Sequence, residues 1–381
     1  MTRVLIAFDK FKDALTARQA CEMAAKALQA THPGWQLDLC PLADGGDGFC
    51  ETLTRAAQGR FDPIVCTGPR GNTVNAQIGY VDPVEINQKL RGTLKCPDEG
   101  PIAVIEMASA SGLALLPLNQ RDPWQTSSRG TGELLATAVK TGATTLLLGV
   151  GGSATNDLGL GAIEALGFKF YDDRGELVVN PVPTRWEQIV RVEGRILLPR
   201  LLIACDVTNP LLGPTGAAAT FGPQKGLRED DLPRLEQQAK RISELLCDAC
   251  GQSRSLREVP GTGAAGGFAF GLMVAAKAEL ISGAALVSDW LDLPTRIAAA
   301  DIVITGEGRF DRTSLTGKGP GALIRAAVNL GKPIHVFAGS IDSVIPLEGL
   351  TATAISPSSL PLAETIARTE EFLSRAIAAA F

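Results

Sequence analysis

The sequence predicts an α/β protein in which an open α/β domain, built from both ends of the chain, carries an inserted mixed α/β domain. Apolar runs of strand length alternate with helical periodicity at both ends, whereas hairpin patterns occupy the centre. The length of 381 residues also exceeds what one hydrophobic core usually serves. We therefore expect a discontinuous domain over 1–60 and 290–381 and an inserted domain over 61–289.

At the N-terminal end the pattern predicts strands and helices in alternation. Thr16 and Gln19 have the spacing of a helix capping box, and His32-Pro33-Gly34 ends the helical periodicity. The predicted elements are strands over 4–8 and 37–42 and helices over 16–31 and 49–58.

In the centre, two turn sequences lie between apolar runs and predict β-hairpins. The first is Gly68-Pro69-Arg70-Gly71-Asn72 and the second is Asp172-Asp173-Arg174-Gly175. The predicted elements are hairpins over 64–80 and 168–179, strands over 102–106, 146–150 and 201–205, and helices over 133–139, 159–166, 233–247 and beyond 267.

The C-terminal segment returns to plain alternation. Its predicted elements are strands over 302–304, 334–338 and 351–355, a helix from about Pro320, and a final helix over 364–380. Because both ends have the same pattern, we expect them to form one Rossmann-like domain.

Composition excludes several classes of function. A net charge of −5 without a basic cluster argues against nucleic-acid binding. The early charges at the N-terminus do not fit a signal peptide, and no apolar run is long enough to span a bilayer, so we expect a cytoplasmic protein. The eight cysteines favour free thiols; Cys247 and Cys250 leave a redox pair as an alternative, while a zinc site is improbable with two histidines.

Six loops combine glycine with a carboxylate, a hydroxyl or a lysine, next to a predicted strand or helix. They cover 9–13, 44–48, 149–157, 206–209, 261–267 and 306–318. Any one of them is explained by a helix cap or a tight turn. Because loops at the carboxyl ends of parallel strands converge, six together favour a shared polar cleft.

This combination of groups suits a metal-bound polyphosphate. Glycine backbones can approach phosphate closely, but carboxylates would repel it unless Mg²⁺ lies between them. Lys12 and Lys318 are the cations that we expect against phosphate oxygens, although each is also explained as a solvated surface residue. The P-loop pattern is absent.

An NAD(P)-dependent oxidoreductase acting on a small hydroxy acid is the second interpretation. Gly149-x-Gly151-x-x-Ala154 fits a dinucleotide fingerprint after a strand, and Asp172 has the spacing of a ribose contact. However, Gly261-x-Gly263-x-x-Gly266 fits the same pattern without a convincing strand, which shows how weak the signal is. Asp157 would also place a carboxylate beside the pyrophosphate.

Nine segments in order resemble the type 1 glycerate kinases of bacteria, over essentially the whole chain. They are DKFK (9–12), PLADGGDG (41–48), EMASASGL (106–113), GTGEL (130–134), GSATND (152–157), ACDVTNPL (204–211), FGPQKG (221–226), GAAGG (263–267) and ITGEGR (304–309). The chain departs from the family pattern at Asp13, often Gly, and at Asp47, often Glu. Asp13 adds a charge beside Lys12, and Asp47 shortens the reach of the carboxylate.

The resemblance implies phosphorylation of D-glycerate with ATP and Mg²⁺, usually at the 2-hydroxyl in bacterial members. It also implies the architecture of that family, with the active site in a cleft between the two domains. A homodimer is left open.

Against this background we assign hypothetical roles to the loop residues. Asp206, after a buried strand, is expected to orient the glycerate hydroxyl and accept its proton, although a helix or turn cap would also explain it. The predicted site residues are Asp206 and Lys12 for catalysis; Asp44, Asp47 and Asp157 for Mg²⁺; Gly266, Gly267, Ser153, Asn156 and Lys318 for phosphate or substrate; and Ser128, Arg129 and Arg309 for the substrate carboxylate.

Overall fold

The computed structural model describes residues 1–311, 314, 319–342 and 349–381. The chain divides into two compact units: unit 1 comprises residues 1–44 and 284–381, and unit 2 comprises residues 45–283. Both units combine helices with a sheet, which confirms the predicted α/β class.

Unit 1 is built on a five-stranded parallel sheet. Its elements are β1 (Arg3–Phe8), α1 (Ala17–Thr31), β2 (Gln36–Leu39), α10 (Gly283–Trp290), α11 (Leu293–Ala299), β11 (Ile302–Phe310), α12 (Pro320–Asn329), β12 (Ile334–Ile341), β13 (Leu350–Ala354), α13 (Leu362–Ala367) and α14 (Thr369–Ala380). The strand order is β13-β12-β11-β1-β2.

The central position of β1 follows from its sequence. Its five residues from Val4 to Phe8 are buried, as expected for a strand that is covered on both faces. It pairs in parallel with β11 on one side and with β2 on the other. The predicted capping box is also confirmed, because Thr16 accepts from the backbone of Gln19 and the Gln19 side chain accepts from the backbone of Thr16.

Unit 1 differs from the prediction in two places. β11 continues to Phe310 rather than ending at Ile304, because Gly306 and Glu307 pair with β12. The final helix is divided into α13 and α14 by Arg368, whose φ of −112° interrupts the helical backbone.

Unit 2 contains a six-stranded mixed sheet and a separate two-stranded sheet. Its elements are α2 (Phe49–Ala56), β3 (Arg60–Thr67), β4 (Thr73–Val81), α3 (Gln88–Leu94), β5 (Ile102–Glu106), α4 (Met107–Ser111), α5 (Arg129–Lys140), β6 (Thr145–Gly149), α6 (Leu160–Ala165), β7 (Lys169–Tyr171), β8 (Arg191–Glu193), β9 (Arg200–Ala204), α7 (Ala217–Phe221), α8 (Leu232–Cys250), α9 (Ala264–Ala276) and β10 (Glu279–Ile281). The large sheet has the order β10-β9-β6-β5-β4-β3.

The first predicted hairpin is confirmed, since β3 and β4 pair antiparallel over their full lengths. The second forms only in part. Leu177 makes an isolated antiparallel bridge to Tyr171 and Val178 donates to the oxygen of Phe170 at 2.8 Å, but the strand that pairs with β7 is β8. Pro181 and Pro183 follow closely and lack the N–H that a continued ladder requires.

The boundary of unit 2 lies before α2, because that helix packs on β4 and β5. All eight cysteines are free thiols, as the composition favoured. Among the described residues, no helix is both long enough and apolar enough to cross a membrane.

Gly306 provides a test of the extended β11. A Cβ at this position would lie 1.8 Å from the backbone oxygen of Phe337, so Gly306→Ala should destabilise the protein by about 1–3 kcal/mol. Gly34, where a Cβ meets nothing within 4 Å, is the matched control, and Gly34→Ala should change stability by no more than about 0.5 kcal/mol. Equal urea midpoints for the two variants would contradict the packing described for β11.

Candidate active site

Unit 1 collects carboxylates at the carboxyl ends of three adjacent strands. Asp9 follows β1, Asp44 lies on the segment after β2, and Asp311 follows β11. The backbone N–H of Asp9 donates to the oxygen of Gly306 at 3.0 Å, which fixes the first of these carboxylates beside β11. The sheet topology therefore brings residues 9–13, Asp44 and residues 306–311, which are the described parts of three predicted loops that belong to unit 1, to one edge of the sheet.

Glu307 is a site residue that the sequence interpretation missed. Burial raises its pKa to about 7, with smaller contributions from the carboxylates of Asp9, Asp311 and Asp44, while a hydrogen bond from Ser314 acts in the opposite direction. Its buried Oε1 has no hydrogen-bond partner among the described residues. The residue lies within the ITGEGR segment, which is the signal that could have identified it.

The three basic residues of unit 1 that were predicted to bind substrate or phosphate differ in their surroundings. Lys12 is exposed in the turn after Phe11, close to Gly308. Arg309 is paired with Asp342 and lies 3.7 Å from Asp311, with 64% of its side chain exposed. Lys318 lies outside the described residues. In the part of the chain that the structure describes, no three His, Cys, Asp or Glu side chains form a ready-made metal site.

In unit 2, several glycine-rich loops meet at the loop after β6, residues 149–157. Gly151 donates its N–H to the oxygen of Gly45 at 2.9 Å, and Leu158 donates to the oxygen of Gly266 at 3.2 Å. The loops over 206–209 and 261–267 meet as well, since Gly263 donates to the oxygen of Asn209 at 2.9 Å. Four of the glycine-rich segments therefore form one continuous backbone structure.

Asp157 anchors this loop from the inside. Its fully buried carboxylate accepts from the N–H and hydroxyl of Ser128, both at 2.8 Å, and from the N–H groups of Gly159 at 3.1 Å and Gly161 at 3.2 Å. Burial raises its pKa, and these four hydrogen bonds oppose that shift. Because the carboxylate is already occupied by internal donors, the geometry favours a structural role for Asp157 over the predicted contact with Mg²⁺. The geometry also favours a structural role for Ser128, which is fully buried and was predicted to bind substrate.

Lys225 is the second residue that the interpretation missed. It is 1% exposed, and its ammonium donates to the hydroxyl of Ser153 at 3.0 Å and to the backbone oxygen of Thr155 at 2.6 Å. Burial lowers its pKa to about 7, and the negative charge of Asp157 opposes that shift. A lysine is almost never fully buried without such partners. Its position in the FGPQKG segment is the signal that could have identified it.

Three predicted binding residues lie on or beside this loop. Asn156 is 2% exposed, and its Oδ1 has no hydrogen-bond partner among the described residues. Gly266 and Gly267 both have positive φ, at 70° and 82°, and the first packs against Thr155 and Asn156. The N–H of Gly267 donates to the oxygen of Gly263 at 3.3 Å, and its contact with phosphate stays a prediction.

The remaining predicted residues of unit 2 are partly exposed. Asp206 follows β9, and its Oδ1 accepts from the hydroxyl of Ser282 at 2.8 Å. Asp47 lies beside the loop after β6, since a Cβ at Gly152 would be 3.0 Å from its Oδ1. Arg129 pairs with two glutamates at 3.0 and 2.7 Å and lines a cavity of about 280 Å³.

The structure does not fit the dinucleotide interpretation. The helix after the fingerprint, α6, begins only at Leu160, beyond a non-helical segment. Asp172 follows β7, which belongs to the two-stranded sheet. The strands beside β6 are β5 and β9. The acidic residue is therefore not at the end of a neighbouring parallel strand, where a ribose contact would be made.

Comparisons with known proteins agree with this result. The model of the Glycerate kinase family matches residues 4–381. A glycerate kinase of Bacillus subtilis (strain 168) is 37% identical over 98% of this chain and 95% of the relative. A glycerate 2-kinase of Escherichia coli (strain K12) is 39% identical over 89% of this chain and 85% of the relative. A crystal structure assigned as glycerate kinase 2 from Salmonella typhimurium LT2 has a TM-score of 0.77 at 33% identity, covering 100% of this chain and 98% of that one.

Fold, loops and relatives together define the class of this protein as a kinase that acts on a hydroxyl group. The chain belongs to the glycerate kinase family. The similarity to the Salmonella structure also supports the mixed α/β architecture described for the two units.

Ser128 provides a test of the buried anchor. Ser128→Ala removes one hydrogen bond to Asp157 and leaves the N–H of Ala162 without its 3.0 Å acceptor, so we expect a loss of about 1–3 kcal/mol in the free energy of unfolding. Ser255→Ala, at an exposed serine, is the control and should be close to neutral. Urea denaturation measures both. An unchanged midpoint for Ser128→Ala would argue against the anchor.

Glu307 provides a test of the carboxylate edge. Its pKa is about 7 in the folded protein, against 4.5 for an unperturbed glutamate, so folding takes up a proton between these pH values. The stability due to this group is therefore fully present below pH 4.5 and is lost as the pH rises through 7. Without divalent cations, Glu307→Gln should flatten the decline in melting temperature over that range. Glu370→Gln, at an exposed position on α14, should retain the wild-type slope.

Proposed function

We propose that the protein transfers the γ-phosphoryl group of ATP to the 2-hydroxyl of D-glycerate, with Mg²⁺ as cofactor. The observation that carries this proposal is the family match over residues 4–381. The name of the Escherichia coli relative, glycerate 2-kinase, supports the choice of hydroxyl. None of the relatives described above is named as an oxidoreductase, so the oxidoreductase alternative has no support from them.

The carboxylate edge of unit 1 has the chemistry to hold Mg²⁺. Oxygen ligands from carboxylates are those that Mg²⁺ prefers, and Oε1 of Glu307, which has no hydrogen-bond partner within the described part of the chain, is an acceptor that a cation would satisfy. We propose that Glu307 holds the cation together with Asp9 and Asp44, whose side chains would have to move closer to Glu307, because the described residues contain no preformed three-ligand site. When bound, Mg²⁺ would neutralise the charge of the phosphates during transfer. A metal contact from Asp47 stays a prediction.

Asp206 is the residue that we propose as general base. Its place at the end of a buried strand keeps the carboxylate fixed, and the hydrogen bond from Ser282 orients Oδ1. A carboxylate held in this way can orient the glycerate hydroxyl and take its proton as the oxygen attacks phosphorus.

The remaining groups are proposed to bind the anionic parts of the substrates. Ser153, Asn156 and the backbone at Gly266 would contact phosphate oxygens, and Lys12 and Lys318 would supply positive charge. Arg129, already directed by its glutamate partners, would bind the glycerate carboxylate through its guanidinium. The Rossmann-like description of unit 1, the contribution of Arg309 to substrate binding and a homodimer stay predictions.

The activity has a direct assay. With D-glycerate, ATP and Mg²⁺, the protein should form ADP, and the product should be 2-phosphoglycerate by phosphorus NMR. Omitting Mg²⁺ or glycerate should stop ADP formation. An absence of ADP with all components present would contradict the kinase activity. An exclusive 3-phosphate product would contradict transfer to the 2-hydroxyl.

Asp206 can be tested by a nearly isosteric change. Asp206→Asn should lower kcat by about 10²–10⁴-fold, the usual contribution of a general base, with little change in the KM for glycerate. Asp230→Asn, at an exposed position before α8, is the matched control and should retain wild-type kinetics. A kcat for Asp206→Asn within a few-fold of wild type would exclude Asp206 as the base.

A further inference from the structure

Lys225 has no role in the mechanism outlined above, although only 1% of its surface is exposed and it lies against the loop after β6. It ends a short 3-10 turn, Pro223–Lys225, and is followed by Gly226 with a φ of 95°. A Cβ at Gly226 would lie 2.3 Å from the backbone oxygen of Arg121, so the chain is tightly confined here. The turn delivers the lysine side chain into the interior of unit 2 and holds it there.

The hydrogen bonds of Lys225 have a fixed direction. A protonated lysine has three donors and no acceptor. In the contact with Ser153, at 3.0 Å, the serine oxygen must therefore accept, and its own O–H remains available to donate elsewhere. The contact with the oxygen of Thr155, at 2.6 Å, fixes the ammonium on the same loop. Ser153 is 7% exposed, so it lies at the margin of the buried network.

We propose that Lys225 is a positioning residue that makes Ser153 an obligatory hydrogen-bond donor toward an anionic oxygen of the substrates. This inference rests on the proposed kinase function. The oxygen belongs either to an ATP phosphate or to the glycerate carboxylate, and the two KM values distinguish these sources. Lys225 itself remains buried and does not touch the substrate.

The charge state of Lys225 controls this arrangement. Its pKa is about 7, lowered by burial and raised by Asp157. Arg121 borders the turn through its backbone oxygen, and the adjoining helix α7 contains no titratable side chain. When the amine is neutral it gains a lone pair, so the Ser153 O–H can turn inward. Binding of the anionic oxygen should then weaken as the pH rises above 7.

The kinetic test uses Ser153→Ala, Lys225→Met and the double variant. In the wild-type enzyme, the KM for one of the two substrates should increase between pH 6 and pH 9. Either single variant should increase that KM about tenfold or more at pH 6, the usual effect of losing a hydrogen bond to a charged group. The KM of either variant should then no longer depend on pH over this range. Because both residues act through one hydroxyl, the double variant should be no worse than the worse single variant. Lys240→Met, at an exposed lysine of α8, should behave as wild type.

The outcomes separate this inference from the proposed function. A wild-type protein that forms no ADP overturns the kinase proposal itself. An active wild-type enzyme whose KM and pH profile are unchanged by Ser153→Ala overturns the inference alone, and this variant decides the question even if Lys225→Met does not fold. A merely structural role for Lys225 would lower the melting temperature and leave the pH dependence of KM in the Ser153→Ala variant intact.

Discussion

The site in unit 2 depends on one constraint, which is that a buried charge must be compensated. Asp157 and Lys225 are both removed from water, and an isolated ion in such a place would cost several kcal/mol. Asp157 is compensated by four hydrogen bonds, and Lys225 by two hydrogen bonds and the charge of Asp157. Asp157 lies on the loop after β6, and the two hydrogen bonds of Lys225 go to Ser153 and Thr155 on the same loop. The conformation of this loop is therefore coupled to the burial of both charges.

Unit 1 uses charge in a different way. Its carboxylates are brought together at one edge of the parallel sheet, where burial first and the neighbouring like charges second raise the pKa of Glu307. Glu307 Oε1 has no hydrogen-bond partner among the described residues, whereas the carboxylate of Asp157 in unit 2 already accepts four hydrogen bonds. Two acidic loops that look alike in sequence thus differ in their surroundings: Glu307 lies among other carboxylates, and Asp157 lies among hydrogen-bond donors.

Local patterns predicted most of the elements but fewer of the contacts. The apolar runs of β1, β6 and β9 and the capping box at Thr16 are determined by neighbouring residues, and the structure confirms them. The extension of β11 depends on pairing with β12, and the true partner of β7 lies beyond two prolines. The burial of Lys225 depends on Ser153, 72 residues earlier. Apart from its place in the FGPQKG segment, no local pattern distinguishes this lysine from a solvated one.

The most direct test of the central claim is a crystal structure with Mg²⁺, D-glycerate and a non-hydrolysable ATP analogue. The account predicts an anionic substrate oxygen within hydrogen-bond distance of Ser153 Oγ, with Lys225 still bonded to the same serine. Substrates bound with no anionic oxygen near Ser153, or a Ser153 hydroxyl that donates inward while they are bound, would contradict it.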